Sequence, residues 1–328
     1  MGSTRTGRIL VLTALVLACT QAGAAADPAP PPAPVSGGSN YDFYSLDDCY
    51  REPYQVVRNF DKVPDIVRYQ LTGMHSGGQN RISLGLYHHH GAATGTVVDS
   101  TGGKLPEQDR SNLTGLLSTV KQVGFAEITV VLHPLAPNDP HGWASWQPEL
   151  YQENWQFIQD LHAVVAGAGL PYHLDLGSEL TASTGQSVVL QYDQQLWKDY
   201  TAKFGRTDTV GFSVNSQDWG SVLNLGKVYG TSPPPLFDVH VYGDEYDQFV
   251  SVDNGLRQFG YTTQPFIIGE SYYNDAEAAA GLAKATRATG RQVYYLTQWQ
   301  RTRANNTQCA DVDVAPPNDF SAYTKAGF

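Results

Sequence analysis

Two glutamates occupy positions where catalytic carboxylates would be expected, each just after an apolar run typical of a buried strand. Glu179 follows the run HLDLG after one serine, and Glu270 follows the run PFIIG directly. A carboxylate at the end of a buried strand is poorly hydrated, so it needs a partner or a function there. Two such groups facing one another can cleave a glycosidic bond, one as a protonated acid and the other as an ionised nucleophile or base. That chemistry requires environments that push the two pKa values apart.

Other polar and aromatic side chains lie at the predicted strand ends or in the polar loop at residues 134–148. An aromatic ring in such a loop can stack on the C–H face of a sugar. Asp175 is expected to point into the barrel wall or interior. The candidate substrate-binding residues are His88, His133, Ser178, Asn215, His240, Tyr242 and Trp299 at strand ends, with Trp143 and Trp146 in the loop.

The run His88-His89-His90 raises the question of a metal site. Successive residues at a strand end point in alternate directions, so at most two of these histidines could ligate one ion. His133 could join them, but the sequence has no H-E-x-x-H motif. We therefore expect no metal and no cofactor, and expect the histidines to bind sugar hydroxyls instead. A serine nucleophile is disfavoured because no G-x-S-x-G motif is present.

Strand-like runs alternate with amphipathic helical stretches along the chain, which indicates a parallel sheet with helical crossovers. Eight such units predict a single-domain α/β fold, a closed (β/α)8 TIM barrel, whose active site lies at the carboxyl ends of the strands. A doubly wound open sheet is the alternative, but the glycine-rich phosphate turn typical of it is missing. The predicted strands are Tyr54–Asn59, Arg81–Tyr87, Ala126–Leu132, Pro171–Leu176, Thr209–Val214, Leu236–Tyr242, Pro265–Gly269 and Gln292–Trp299.

Composition narrows the class of protein further. The 328 residues include 21 Lys+Arg and 32 Asp+Glu, for a formal net charge of −11, and 11% are aromatic. An acidic chain without a basic cluster is a poor nucleic-acid binder, because neutralising phosphates needs Lys and Arg. The apolar content of 41% is too high for a disordered protein.

The N-terminus has the pattern of an export signal. Arg5 and Arg8 precede the apolar run Ile9–Ala18, and small residues follow up to Ala26. This pattern predicts a signal peptide over residues 1–26. Cleavage before Cys19 is the alternative and would give a lipoprotein tethered to a membrane through that cysteine. We expect the protein to be periplasmic, a cell-surface lipoprotein or secreted.

A proline-rich tether is predicted at residues 27–40, ahead of a barrel domain at residues 41–328. If Cys19 is removed or lipidated, Cys49 and Cys309 remain, near the two ends of the folded part. An even pair of cysteines in an exported protein predicts a disulfide.

The whole arrangement resembles the (β/α)8 retaining glycoside hydrolases of clan A, the cellulase-like group, and both family-5-like and family-39-like members are compatible. The resemblance implies that Glu179, after strand 4, is the acid/base and that Glu270, after strand 7, is the nucleophile. The spacing His240-x-Tyr242 is similar to a strand-6 pair whose tyrosine hydrogen-bonds the nucleophile. Trp299 resembles the strand-8 tryptophan that floors the −1 sugar site. Ser178 replaces the clan's usual asparagine, which binds the sugar 2-hydroxyl.

The expected function is that of an exported retaining glycoside hydrolase acting on a polysaccharide or oligosaccharide. A catalytically silent, glycan-binding barrel is the alternative, and a barrel isomerase or lyase is a weaker one. Convergence of the two carboxyl groups, with Tyr242 beside Glu270, would favour the enzyme. Retaining enzymes place these carboxyl groups about 5–5.5 Å apart, and inverting enzymes about 6.5–9.5 Å apart.

Overall fold

Eight parallel strand positions form a ring in the computed structural model, which describes residues 37–44, 54–302, 313–314 and 318–328. The strands are β1 Gly38–Asn40, β2 Arg81–His89, β3 Glu127–Pro134, β4 Tyr172–Asp175, β5 Thr209–Gly211 with Val214–Asn215, β6 Phe237–His240, β7 Phe266–Glu270 and β8 Val293–Gln298. The two short pieces of β5 pair with different neighbours, the first with β4 and the second with β6, so that the ring closes through residues 212 and 213. The predicted (β/α)8 barrel is confirmed.

Helices cover the outside of the ring. Proline at the first position starts α2 and α4, where its missing N–H would have had no partner. Aspartate side chains cap α6, α7 and α8 by accepting hydrogen bonds from backbone N–H groups. The helices are α1 Val56–Asn59, α2 Pro64–Ser76, α3 Glu107–Val123, α4 Pro148–Gly167, α5 Ser187–Phe204, α6 Trp219–Tyr229, α7 Glu245–Arg257, α8 Ala276–Thr289 and α9 Ser321–Ala326.

Four smaller elements complete the described structure. The short strand Val98–Asp99 pairs with β2, and Arg301–Thr302 pairs antiparallel with Asp313–Val314. A 3-10 turn forms at Pro140–Gly142. Within the described residues, no helix combines the length and apolar character that crossing a membrane requires. The predicted signal peptide, most of the tether and all three cysteines lie outside the described residues.

The position predicted for the first strand is wrong. Residues 56–59 of the predicted strand Tyr54–Asn59 form helix α1, and β1 lies instead at Gly38–Asn40, within the last residues of the predicted tether. β1 pairs with both β2 and β8 and so joins the two ends of the ring. A Cβ atom on Gly38 would lie only 1.8 Å from the carbonyl oxygen of Arg81. Glycine is therefore needed here for close backbone packing, not for flexibility.

Side chains alternate between the barrel interior and the helix layer along each strand. At the amino-terminal end of the barrel the interior is filled by polar groups. Glu127 accepts hydrogen bonds from Arg81 at 3.0 Å and from the Tyr294 hydroxyl at 3.0 Å, and its Oε1 lies 3.0 Å from His173 Nε2. This paired network closes one end of the barrel and leaves the opposite end for the site.

The close approach at Gly38 predicts a large effect of a single methyl group. Gly38→Ala should destabilise the fold by about 2–3 kcal/mol, because the β1–β2 pairing must open to admit the new Cβ atom. The measurement is urea unfolding followed by circular dichroism. Gly167→Ala is the matched control, since a Cβ atom at the end of α4 meets nothing within 4 Å. Equal stability of the two variants would contradict the assignment of β1.

Candidate active site

Glu179 is held at the carboxyl end of β4 by an unusual backbone conformation. The chain turns after Asp175, and Glu179 has a φ of +49°, in the left-handed region that non-glycine residues rarely occupy. Its N–H donates to the Ser213 hydroxyl at 3.0 Å, which stabilises this turn. Such a conformation persists only where surrounding contacts fix it, and it is frequent in functional sites. It places the Glu179 carboxylate at the mouth of the barrel.

Glu270 ends β7 on the opposite side of the mouth. Its Oε2 atom accepts a hydrogen bond of 2.9 Å from the Tyr242 hydroxyl. Its side chain is 15% exposed, against 38% for Glu179, so the two carboxylates differ in hydration. Tyr242 therefore lies beside Glu270.

His240 lies between the two glutamates and is buried. Its Nδ1 atom donates to Glu179 Oε1 at 2.8 Å and lies 3.4 Å from Glu270 Oε1. One oxygen of Glu179, one oxygen of Glu270 and a ring nitrogen of His240 all lie within 4.8 Å of one another. Asn215 adds a hydrogen bond of 3.3 Å from its amide to Glu179 Oε2. The two carboxyl groups therefore converge on the same point of the barrel mouth.

The site separates the ionisation of its groups. Burial raises the pKa of Glu270 to about 7, with a contribution from the charge of Glu179 and with His240 and Tyr242 opposing the rise. Burial also opposes ionisation of Glu179, yet hydrogen bonds from His240 and Asn215 hold the pKa of Glu179 below its ordinary value. Burial disfavours the charged imidazole, but the surrounding carboxylates raise the pKa of His240 to about 10. One proton is therefore held firmly on His240 between two acids.

Five of the residues predicted to bind substrate lie at this site: His240, Tyr242, Asn215, His133 and Trp299. Burial and the nearby charge of His240 lower the pKa of His133 to about 3, so its ring is neutral. Trp299 and Tyr242 line a cavity of about 600 Å³ beside Glu270. The complete lining of this cavity is Tyr242, Glu270, Tyr272, Tyr273, Asp275, Trp299 and Gln300.

Two predicted binding residues are placed elsewhere. His88 is buried on the helix side of β2, where it stacks on Phe157 at 4.5 Å, so its prediction as a substrate ligand is wrong. Trp143 is also buried, and its indole N–H donates to the carbonyl of Pro137 at 2.7 Å, so it cannot present a free face to a sugar. Trp146 packs against Trp143 at 6.0 Å and is half-buried. Its role as a sugar platform stays a prediction.

Ser178 is half-buried, and its N–H donates to the carbonyl of Leu132 at 2.8 Å. This contact ties the turn before Glu179 to β3. The predicted contact between the Ser178 side chain and a sugar hydroxyl stays a prediction.

Three residues of the site escaped the sequence-based prediction. Tyr87, next to His88, points into the barrel, stacks on His133 at 4.3 Å and donates to Asp42 Oδ2 at 2.9 Å. The alternation of side chains along β2 distinguishes the two residues, since His88 lies on the same outward face as Leu84 and Leu86 and Tyr87 lies on the other face. Tyr272, two residues after Glu270, packs edge-on against Tyr242 at 5.1 Å.

The third is Asp238, two residues before His240 and on the same inward face of β6. Asp175, Asp238 and His240 approach one another closely enough to surround an ion, as do Glu179, His240 and Glu270. A protonated imidazole has no lone pair to offer a metal. Since the pKa of His240 is about 10, a cation at either set would have to displace a proton from the imidazole ring.

Comparison with known proteins supports the fold and leaves the family unassigned. No family profile matches the sequence, and no curated protein matches it. A GH5_18 protein from Streptomyces cattleya in complex with Manβ1-4GlcNAc superposes with a TM-score of 0.61 at 12% identity, over 89% of this chain and 80% of that one. An exo-β-1,4-mannosidase from Opitutaceae bacterium strain TAV5 gives 0.59 at 13% identity, over 88% of this chain and 56% of the other.

A protein of different chemistry superposes as well. The homocysteine methyltransferase MmuM from Escherichia coli gives a TM-score of 0.51 at 11% identity, over 83% of this chain and 89% of that one. At such identities the likeness shows the barrel fold alone, and chemistry must be argued from the site. Glycoside hydrolases of family 5 are among the structural neighbours, as the resemblance to clan A led us to expect.

The hydrogen bond from Tyr242 predicts a measurable change at Glu270. Tyr242→Phe removes a donor that stabilises the ionised carboxylate, so the pKa of Glu270 should rise above its value of about 7, by about 1. The measurement is a ¹³C NMR titration of labelled glutamate carboxyls, with Glu270→Gln used for assignment. Tyr69→Phe is the control, because Tyr69 is 78% exposed on the surface. An unchanged or lower pKa in Tyr242→Phe would contradict the geometry.

Proposed function

We propose that this protein is an exported retaining glycoside hydrolase that cleaves O-glycosidic bonds of a polysaccharide by double displacement. The observation that carries the proposal is the approach of one oxygen of Glu179 and one of Glu270 to within 4.8 Å, on the fourth and seventh strand positions of the barrel. Carboxyl groups that converge this closely favour direct attack by one of them over inversion through an interposed water. No cofactor is required.

Glu270 is the nucleophile in this mechanism. Its ionised Oε1 or Oε2 atom attacks the anomeric carbon, and the bond from that carbon to the leaving oxygen breaks. Glu179 gives its proton to the leaving oxygen in the same step, so that a free sugar hydroxyl and a glycosyl ester of Glu270 result. Glu179 then accepts a proton from water, whose oxygen attacks the anomeric carbon and releases Glu270.

The proton that Glu179 needs is held by His240 in the free protein. The Nδ1 proton lies on a 2.8 Å hydrogen bond to Glu179 Oε1. Transfer along this bond yields a protonated Glu179 and a neutral imidazole without a change in the total number of protons. The low pKa of Glu179 therefore reflects a Glu179–His240 pair whose shared proton rests on the histidine. When a leaving oxygen lies against Glu179, this proton moves to the Glu179 carboxylate.

The cavity beside Glu270 favours a carbohydrate as the substrate. Tyr272 is 44% exposed and Trp299 is half-buried, so aromatic surface is available next to the nucleophile. Aromatic faces stack on the C–H faces of pyranose rings. Since the structural neighbours include a Manβ1-4GlcNAc complex and a β-1,4-mannosidase, β-linked mannosides and glucosides are the first substrates to test.

Export is part of the proposal and is supported by the N-terminal sequence. The signal pattern at residues 1–26 and the proline-rich tether would place the barrel outside the cytoplasm. Cleavage before Cys19 would anchor it to a membrane, whereas cleavage after Ala26 would release it. A disulfide between Cys49 and Cys309 would tie together two segments near the ends of the barrel.

Substitutions of the two glutamates should impair hydrolysis to different extents. Glu270→Gln should abolish hydrolysis, because it removes the nucleophile. Glu179→Gln should reduce kcat/KM about 10²–10⁴-fold on oligosaccharides but much less on nitrophenyl glycosides, whose leaving group hardly needs protonation. The measurements are initial rates and ¹H NMR of the first-formed anomer, which should retain the configuration of the substrate.

Glu149→Gln, at an exposed position in the first turn of α4, is the matched control and should retain full activity. An inverted product would overturn the double displacement. Saturable binding of oligosaccharides by a wild type that hydrolyses none of them would establish the silent glycan-binding barrel instead.

The pH profile of kcat/KM should follow the two ionisations of the site. Glu270 must be ionised, so activity is present above its pKa of about 7 and is lost as the pH falls through that value. The proton shared by Glu179 and His240 must be retained, so activity is lost again as the pH rises through about 10. The measurement is kcat/KM for an oligosaccharide over a pH range that extends beyond both limits, and a maximum on the acid side of pH 6 would contradict the assignment.

A further inference from the structure

A second acidic pair lies deeper in the barrel than the two glutamates and takes no part in the proposed reaction. Asp175 ends β4 and Asp238 lies in β6, and both side chains are fully buried. One oxygen of each and a ring nitrogen of His240 lie within 4.8 Å of one another. His240 Nε2 is 3.9 Å from Asp238 Oδ1, on the opposite side of the ring from the Nδ1 atom that faces Glu179.

Each aspartate has one buried oxygen without a hydrogen-bond partner, Oδ2 in Asp175 and Oδ1 in Asp238. The other oxygen of Asp175 accepts from the N–H groups of Gly177 at 3.0 Å and Ser213 at 3.2 Å. Asp238 packs on Gly269, where a Cβ atom would lie 2.1 Å from Oδ1. Two buried carboxylates this close strongly disfavour ionising together, and a proton on one of them turns an unpartnered acceptor into a donor.

We propose that Asp175 and Asp238 hold one proton between them, and that Asp238 is a positioning residue that keeps His240 protonated beneath the two glutamates. The consequence for catalysis rests on the proposed function, whereas the placement of the protons does not. When the pH rises, the pair loses its proton first. The new negative charge on Asp238 then stabilises the imidazolium through Nε2, so that the proton shared with Glu179 is retained.

The pKa values agree with this order of ionisation. Burial, with the charges of Asp175 and Glu270, raises the pKa of Asp238 to about 8, below the value of about 10 for His240. Burial likewise raises the pKa of Asp175. The other titratable groups that act on the network are His133 of β3, Glu179 after β4, Tyr229 of α6, Tyr242 after β6, Glu270 of β7, Tyr295 of β8 and Asp42 after β1.

The test is an NMR titration of the His240 ring in the full chain, with His240→Gln used to assign its signal. Asp238→Asn should lower the pKa of His240 by about 1–3, because the charge beside Nε2 is removed. The basic limb of the kcat/KM profile should move down by the same amount. The acid limb should stay near pH 7, where Asp238 is already protonated in the wild type.

Asp193→Asn is the matched control. Asp193 of α5 is also fully buried, has an unpartnered Oδ1 and has a pKa raised by burial, but its Oδ2 accepts from the Ala182 N–H at 2.9 Å. It should leave the His240 titration unchanged. If Asp238→Asn fails to fold, Asp175→Asn provides a second test. This substitution removes the charge of Asp175, so Asp238 should ionise at a lower pH.

Two results would overturn the inference. The first is a His240 titration that Asp238→Asn leaves unchanged, or that Asp193→Asn shifts equally. The second is a stoichiometric metal ion in the purified protein that Asp238→Asn loses, since a cation would then balance the pair. If the protein hydrolyses no glycoside, the NMR titration still decides the inference. If hydrolysis occurs and the titration is unchanged, this inference fails and the proposed function stands.

Discussion

The site depends on one buried imidazole that is surrounded by more acid than it can neutralise. His240 contacts Glu179 and Glu270 through Nδ1 and faces Asp238 through Nε2. A single positive charge only partly compensates three carboxylates at low dielectric, so the pKa of Glu270 is raised to about 7 and that of Asp238 to about 8. The protonation of the barrel mouth near neutral pH thus depends on how many acids surround one ring. Catalysis by a carboxyl pair requires such control, because one carboxyl must be acidic while the other is ionised.

Close backbone packing makes this arrangement possible. Gly269 allows Asp238 to lie flat against β7, and Gly38 allows β1 to fit between β2 and β8. Asn40 at the end of β1 then donates to the carbonyl of Gly269 at 2.8 Å and to that of Gln298 at 3.1 Å. β1, which lies between β2 and β8, is therefore also bonded to the strand that carries Glu270. A disturbance of either glycine would reach Glu270 through a continuous set of backbone contacts.

Periodicity in the sequence was sufficient for the barrel and for the position of both glutamates, because long apolar strands such as β3 and β7 have a strong signal. It failed for β1, a three-residue polar strand that resembles a linker because its glycine, Gly38, is needed for close approach to neighbouring backbone. It failed for His88 because a strand end contains both an inward and an outward residue, and only the parity with Leu84 and Leu86 separates them. Trp143 shows a third limit, since a tryptophan in a polar loop can be buried by the loop itself.

The pKa values of buried carboxyl groups are shifted in opposite directions at the two ends of the barrel. At the amino-terminal end, burial of Glu127 is outweighed by His173, Arg81 and Tyr294, and the pKa of Glu127 lies below its ordinary value. At the carboxyl end, Asp238 keeps an unpartnered oxygen, and its pKa is raised to about 8. A fully paired carboxylate stabilises the fold but cannot exchange protons near neutral pH, whereas an underpaired one destabilises the fold and can. The well-paired end therefore supplies rigidity, and the underpaired end supplies groups that titrate near neutral pH, as the proposed reaction requires.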